Sequence, residues 1–297
     1  MNRFALISVI FLFLISCRKE EKDCTPSTAY ITLPSPTVES ITKYLGHRGS
    51  GSDSWSGKDP LFPQENTYDA VVLGSQMLDG AEMDIQMSTD GTIWVWHDDK
   101  INNSLPQSDI GVPCLNDADV VGLLPSGKLI HKLDTVLEWL SNSPNKEFSL
   151  DVKGYFTSCS SLNLAAYFDE MSDSLTVMFT RYNLTDRVKV ETDYQYFLDA
   201  MKVKSPNVET YLLAYGNLNS AITTVLSKGY DGVSMAFSDN SLNVTNMKRL
   251  RDNGLKIQLW SLYNTDDVNN ILIYEPDYIQ TGLLNELTLS QFTNHLQ

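Results

Sequence analysis

Clustered positive charge is missing from this 297-residue chain. Lys and Arg number 22 against 37 Asp and Glu, giving a net charge of −15, and no basic run exceeds the Arg18-Lys19 pair. Proteins that grip nucleic acid release counterions through grouped Lys and Arg, so the composition argues against that partner. A membrane-spanning segment is missing too. The apolar run over 4–15 is shorter than the roughly 20 residues that cross a bilayer. Cysteine and histidine are scarce, four of each, and the cysteine spacing resembles no zinc site. What remains is an ordinary globular balance, 42% hydrophobic and 20% charged. After trimming of the termini it suits one α/β barrel or two small domains. The acidity sets a condition: an anionic substrate here needs local cations or a metal.

The N-terminus reads as a targeting segment. Arg3 precedes the apolar run, and Leu14-Ile15-Ser16-Cys17 has the form of a lipobox. Residues 1–17 are therefore expected to be a lipoprotein signal peptide, with Cys17 lipidated. An ordinary signal peptide with an incidental Cys is the alternative. Residues 18–40, with Pro34 and Pro36, read as a flexible tether, and 41–297 as the folded domain. Arg18-Lys19-Glu20-Glu21 resembles the surface-export signal of some Gram-negative lipoproteins, or is a solvated stretch of tether. The expectation is a cell-envelope lipoprotein at the outer membrane, surface-exposed or facing the periplasm, touching membrane only through its anchor. Cys24 lies in the tether. Cys114 and Cys159 either pair in an oxidising compartment or stay as partly buried thiols.

Beyond the tether, short apolar runs alternate with amphipathic stretches. Strands are predicted over 43–47, 81–87, 147–152, 187–191, 209–214, 232–236, 256–262 and 277–281. Helices are predicted over 66–78, 133–141, 162–173, 194–201, 221–227, 244–252 and 266–273. Eight strands separated by helices, without a short internal repeat, predict a parallel (β/α)8 TIM barrel. The run 92–97 breaks the alternation. Asp90-Gly91 joins it to the second strand, which predicts an antiparallel hairpin flap there.

The hairpin carries a register argument. With Asp90 and Gly91 as a two-residue loop, Met87 faces Trp94 and Asp84 faces His97, and Glu82 points the same way. Two carboxylates at i and i+2 in a barrel mouth are costly unless paired or metal-bound, and oxygen donors of this kind suit Ca²⁺ or Mg²⁺. The plainer reading is a solvent-facing acidic edge. His47 and His97 both end predicted strands, where barrel enzymes place catalysis; His131 and His295 lack that setting.

Gly46-His47-Arg48-Gly49 resembles the opening His-Arg-Gly of glycerophosphodiester phosphodiesterases, in the phospholipase-C-like phosphodiesterase barrel superfamily. Pro63-Gln64-Glu65-Asn66-Thr67 resembles their Pro-Glu-Asn-Thr. Gly80-Ala81-Glu82-Met83-Asp84-Ile85, Thr89-Asp90-Gly91 and Trp96-His97-Asp98 follow their Glu-x-Asp, Asp-Gly and His-Asp series. Leu150-Asp151-Val152-Lys153 and Leu259-Trp260-Ser261-Leu262 resemble two later strands, so the likeness spans about residues 44–285. The resemblance implies hydrolysis of glycerophosphodiesters to an alcohol and glycerol phosphate, with one divalent cation, Ca²⁺ or Mg²⁺. It implies His47 and His97 as general acid and base, Glu82, Asp84 and Asp151 as metal ligands, and Arg48 and Lys153 as phosphate-holding cations. It also implies initial attack by the substrate's own glycerol hydroxyl. Glu65 is expected to brace Arg48 or approach the metal, Asn66 to cap the next helix or serve the site, and Trp260 to stack on substrate or pack. Glu191, Tyr211 and Tyr263 are expected in core or rim roles.

Three features depart from the family pattern: Asp151 in place of Glu, the extra Gln64, and a Ser/Gly-rich loop over 50–62 expected to overhang the site. Two alternatives stand beside the main reading: a phospholipase-type enzyme acting on intact lipid head groups, and a non-catalytic surface binding protein on the same fold.

Overall fold

The structure, a computed structural model, describes residues 42–106, 110–154, 159 and 162–284. The expected signal peptide, Cys17 and the tether over 18–40 lie outside the described residues. In chain order the elements are β1 (Lys43–Gly46), α1 (Tyr68–Met77), β2 (Gly80–Met87), β3 (Ile93–Val95), a 3-10 turn (Val112–Cys114) and α2 (Asp117–Gly122). Then follow β4 (His131–Lys132), α3 (Leu133–Ser141), β5 (Glu147–Val152), α4 (Leu164–Arg181), β6 (Val188–Thr192), α5 (Gln195–Lys204) and β7 (Glu209–Ala214). The chain continues through α6 (Leu218–Lys228), β8 (Gly232–Ala236), α7 (Val244–Asp252), β9 (Lys256–Leu262), α8 (Thr265–Leu272) and β10 (Tyr278–Thr281).

Eight strands pair in parallel in the order β1-β10-β9-β8-β7-β6-β5-β2, and β1 pairs with β2 to close the ring. This is the expected (β/α)8 barrel. Strand alternation explains its layers, because successive side chains face opposite sides. Met83 and Ile85 on β2, Phe148 and Leu150 on β5, and Val188 and Val190 on β6 face outward and join one core with α3, α4 and α5. The inward positions include the fully buried polar residues Glu82, Ser149, Glu191, Ser234 and Gln258, while Leu45, Tyr211 and Tyr278 form a separate small cluster. The polar residues are tied to one another, as where Ser149 Oγ donates to Glu191 Oε1 at 3.0 Å and Gln258 Nε2 to Ser234 Oγ at 3.3 Å.

The hairpin forms, with a corrected register. Gln86 faces Trp94 and Met87 faces Ile93, one residue away from the sequence expectation, so Trp96, not His97, lies across from Asp84. The turn is longer than two residues. Ser88 N donates to Thr92 O, Gly91 N donates to Ser88 O, and Gly91 takes φ +77°, so three residues close the loop with the glycine left-handed. β4 adds a third antiparallel strand to β3. Helix α4 runs to Arg181, well past the expected end. Its apolar face continues through Met171, Leu175 and Phe179, and the Thr176 and Thr180 hydroxyls bond back to carbonyls one turn earlier. Cys114 and Cys159 are joined as a disulfide with Cα atoms 5.5 Å apart, tying the 3-10 turn to the chain beyond β5.

Candidate active site

The C-terminal ends of β1, β2 and β5 bring the expected residues together. In the parallel register Asp84 of β2 lies beside Asp151 of β5, with Glu82 one inward layer deeper beside Ser149. Glu82, Asp84 and Asp151 each place a carboxylate oxygen within 4.8 Å of the others. His47 follows β1, and its Nε2 is 4.0 Å from Glu82 Oε2. His97 lies close enough to Asp84, Asp151 and His47 to perturb all three electrostatically. The one-residue register shift therefore leaves it at the mouth.

Local backbone geometry aims the loop after β1. Arg48 takes φ +51°, an unusual conformation for a non-glycine residue, held because its N–H donates to Glu82 Oε2 at 2.7 Å. Its guanidinium is braced by Glu65 Oε1 at 2.9 Å and lies 3.6 Å from Asp84 Oδ2. Glu65 thus takes the bracing option. Asn66 departs from the capping expectation: Thr67 caps α1, accepting from Ala70 N, and Asn66 turns inward instead. Its Nδ2 donates to Asp84 Oδ2 at 2.7 Å and its Oδ1 accepts from Asp84 N at 3.0 Å, fixing that carboxylate on two sides.

The electrostatics follow from burial. Burial, together with the nearby Asp84, Glu191 and Asp151 carboxylates, raises the Glu82 carboxyl well above its ordinary range. Burial also raises Asp151. Burial would raise Asp84 too, but Lys153, His97 and Arg48 overcome it and hold Asp84 far below the usual carboxylate range. Lys153 Nζ sits 2.9 Å from Asp84 Oδ1 and also contacts Asp151. Burial, then the Arg48 charge, push the His47 imidazole down to about 3, so the ring is neutral near pH 7. His97 Nδ1 meets Asp98 Oδ1 at 2.9 Å.

The residues present fit a divalent cation. Their donor set is three carboxylates, which suits a hard cation. Asp151 Oδ1 is buried with no hydrogen-bond partner, a cost that a cation would remove.

Some contributors carried no distinct sequence signal. Asp98 follows His97 directly, and adjacency in sequence does not by itself imply the contact between its carboxylate and the His97 ring. The extra Gln64 clamps the backbone of Leu129, with Leu129 N donating to Oε1 at 2.9 Å and Nε2 donating to Leu129 O at 2.7 Å. The loop over 50–62 is knitted by Lys58, whose Nζ donates to Gly51 O, Asp53 Oδ1 and Pro63 O at 2.7–2.9 Å. It lays Trp55 against Tyr263, ring centroids 5.6 Å apart, and Tyr263 in turn lies 6.2 Å from the His47 ring. Trp55 also covers Gly282, where a Cβ would come within 3.1 Å of the indole. Glu191 sits in the barrel interior beneath the site, its carboxyl pushed up to about 7 by burial and by Asp151.

Residues 47–282 match the Glycerophosphoryl diester phosphodiesterase family. The chain belongs to this family. Its members are phosphoric diester hydrolases, and the matched span begins at His47 and covers every site residue named above. The chain is 24% identical to YqiK of Bacillus subtilis (strain 168), an uncharacterized protein, over 245 residues, 78% of this chain and 91% of that one. Solved structures show the same fold. A glycerophosphodiester phosphodiesterase from Parabacteroides distasonis ATCC 8503 superposes with TM-score 0.70 at 17% identity, covering 86% of this chain and 99% of that one. The glycerophosphodiester phosphodiesterase of Thermotoga maritima gives 0.61 at 19% identity, covering 84% and 97%. An Oleispira antarctica phosphodiesterase in complex with the product sn-glycerol-3-phosphate gives 0.63 at 15% identity, covering 84% and 96%.

Proposed function

We propose that this phosphodiesterase hydrolyses a glycerophosphodiester to glycerol phosphate and an alcohol, with Mg²⁺ or Ca²⁺ held by Glu82, Asp84 and Asp151. The observation that carries the reading is the convergence of three carboxylates within 4.8 Å at the barrel mouth, where His47, Arg48 and Lys153 also gather. The glycerol phosphate in the Oleispira complex is the product this reading expects.

Bound there, a divalent cation supplies charge neutralisation at the phosphoryl group. Arg48, anchored by Glu65, offers a planar fork to phosphate oxygens, and Lys153 adds a point charge. His47 and His97 divide the proton transfers: one takes the proton of the attacking glycerol hydroxyl as its oxygen bonds to phosphorus. The other is the general acid; the Asp98 carboxylate, 2.9 Å from His97 Nδ1, orients that ring. The acid gives its proton to the departing alkoxide as the phosphorus–oxygen bond breaks, and water then opens the cyclic phosphate so formed to glycerol phosphate, with the two histidines exchanging roles. The test is a metal-supplemented assay over a panel of glycerophosphodiesters. Both His47→Ala and His97→Ala are expected to lose about 10²- to 10⁴-fold in turnover while still binding substrate. Unchanged turnover in either would remove that residue from the mechanism.

One observation favours a second reading, action on intact lipid head groups. Leu61 is 89% exposed and Leu129 54% exposed on segments that border the site. Faster hydrolysis of phospholipid vesicles than of any deacylated diester would establish it. For the N-terminus we propose lipidation of Cys17 and attachment to the outer membrane. Cys17→Ser should then move the protein from the membrane to the soluble fraction.

A further inference from the structure

The loop over 50–62, which departs from the family pattern, is tied into the site at one point. Asp53 and Glu65 lie over each other's backbone: Asp53 N donates to Glu65 Oε2 at 2.6 Å, and Glu65 N donates to Asp53 Oδ1 at 3.0 Å. Two carboxylates so close repel unless cations stand beside them. Lys58 Nζ meets Asp53 Oδ1 at 2.8 Å, Lys128 Nζ meets Asp53 Oδ2 at 2.9 Å, and Arg48 Nη1 meets Glu65 Oε1 at 2.9 Å. Charge therefore alternates outward from the site, from Arg48 to Glu65 to Asp53 to the two lysines.

Geometry fixes what each member does. The Lys58 side chain is 8% exposed, and its Nζ also donates to Gly51 O and Pro63 O at the two ends of the loop. It grips Asp53 from within the loop, and Lys128 grips it from the segment between α2 and β4. Burial would raise the Asp53 carboxyl, but Lys58, the Glu65 N–H and Lys128 hold it below its ordinary range, so it is ionised near pH 7. Glu65 spends one carboxylate oxygen on the Asp53 N–H and turns the other to Arg48. Arg48 has a second acid within reach. Its Nε lies 3.6 Å from Asp84 Oδ2 and has no hydrogen-bond partner. Both side chains of the Arg48–Glu65 pair are largely buried, where solvent and salt screen little. A guanidinium released by Glu65 would close on Asp84, and its charge would then be spent on that carboxylate.

We propose that Asp53 is a positioning residue for the phosphate site: through Glu65 it holds the Arg48 guanidinium off Asp84 and open to a phosphate oxygen. The inference rests on the reading of Arg48 as a phosphate-holding cation. It gives the loop over 50–62 a part in the reaction that no residue of the loop carries out by touching substrate.

The experiment is a double-mutant cycle on the full domain with Mg²⁺. It measures kcat and KM for glycerophosphoglycerol, and separately the dissociation constant of sn-glycerol 3-phosphate. The proteins are the wild type, Asp53→Ala, Asp53→Asn, Arg48→Gln and the two doubles. Asp53→Ala should cut kcat/KM about tenfold, chiefly through a higher KM, and weaken product binding by a similar factor. Asp53→Asn keeps an acceptor for Glu65 N but no charge for the lysines, so it should lose about threefold, and it decides the cycle if Asp53→Ala does not fold. In the Arg48→Gln background each Asp53 change should move either quantity by less than about twofold, because the side chain through which Asp53 acts is gone. A loop that merely supports the fold would give the same factor in both backgrounds, which would overturn the proposal. So would unchanged KM and product affinity in both single Asp53 variants. If the wild type cleaves no glycerophosphodiester with Mg²⁺ or Ca²⁺, the hydrolase reading fails and the product-binding cycle still decides this inference. A wild type that neither cleaves the diester nor binds the product defeats both.

Discussion

At the N-terminal end of the barrel Lys189 is 2% exposed, yet Glu147 Oε2 lies 3.0 Å from its Nζ and the Tyr278 ring 3.9 Å away. Lys43 pairs with the same glutamate, Tyr278 Oη donates to it at 2.6 Å, and Glu209 takes Lys256 and Tyr211. None of these side chains has a buried polar atom without a partner. At the C-terminal end the barrel buries charge as deeply and leaves it unbalanced. Three carboxylates crowd together, Asp151 Oδ1 and His47 Nδ1 accept and donate nothing, and Glu82 is pushed toward its neutral form. The same strands build both ends. The N-terminal end uses buried charge to hold strands together, and the mouth leaves buried polar atoms without partners, as the proposed metal and phosphate site would require.

That contrast breaks first at Glu82. Glu82→Gln should lower turnover about a thousandfold, the scale of losing several kcal/mol of metal-derived stabilisation. It should also raise the thermal midpoint of the metal-free protein, because the amide removes an ionisation that burial and the neighbouring carboxylates oppose. A lowered midpoint would mean that the three are not in conflict. The opposite end should respond in the opposite way. Glu147→Ala strands a buried Lys189, and unfolding with urea should show a loss of about 3 kcal/mol. kcat of the folded fraction should stay within about twofold, since this end touches no substrate.

The two ends should also differ in pH dependence. Burial opposes ionisation of Glu147, but Lys189, Lys43 and Tyr278 hold its carboxyl down to about 2, below the ordinary 4.5. Its contribution is complete above pH 4.5 and disappears as pH falls toward 2. Glu82 is raised, so its contribution is complete below 4.5 and disappears as pH rises through the elevated value. Urea unfolding of metal-free protein across pH should show both slopes. Glu147→Gln should flatten the acid one, and Glu82→Gln or added Mg²⁺ the other. Smallest of all should be Gln64→Ala, which removes two hydrogen bonds to Leu129 and no buried charge, at about 1 kcal/mol in stability. A larger effect would mean that the loop it clamps carries more of the site than the two ends account for.

The eight barrel strands were legible because each is a short apolar run bounded by an amphipathic stretch, a pattern that survives in one dimension. The grouping of the candidate site was legible from alternation and strand ends at His47, Glu82 and Asp84, and at Asp151 only through the family resemblance. The hairpin register was not, because Asp-Gly closes loops of two or three residues and only the left-handed Gly91 with its bond to Ser88 distinguishes them. Asn66 misled because a short amide next to a helix start serves equally as a cap or as a ligand for a distant carboxylate, and the choice depends on where Asp84 comes to lie. Helix α4 runs long because burial of Leu175 and Phe179 on its apolar face outweighs the low helix propensity of Thr176 and Thr180.

Calorimetric titration of Mg²⁺ and Ca²⁺ into chelator-stripped protein, wild type beside Glu82→Gln and Asp151→Asn, bears most directly on the unbalanced mouth. The expected result is one binding event in the wild type, accompanied by a rise in thermal midpoint and the return of turnover, with all three lost in both variants. Turnover that persists in the stripped wild type, or binding that both variants retain unchanged, would contradict it.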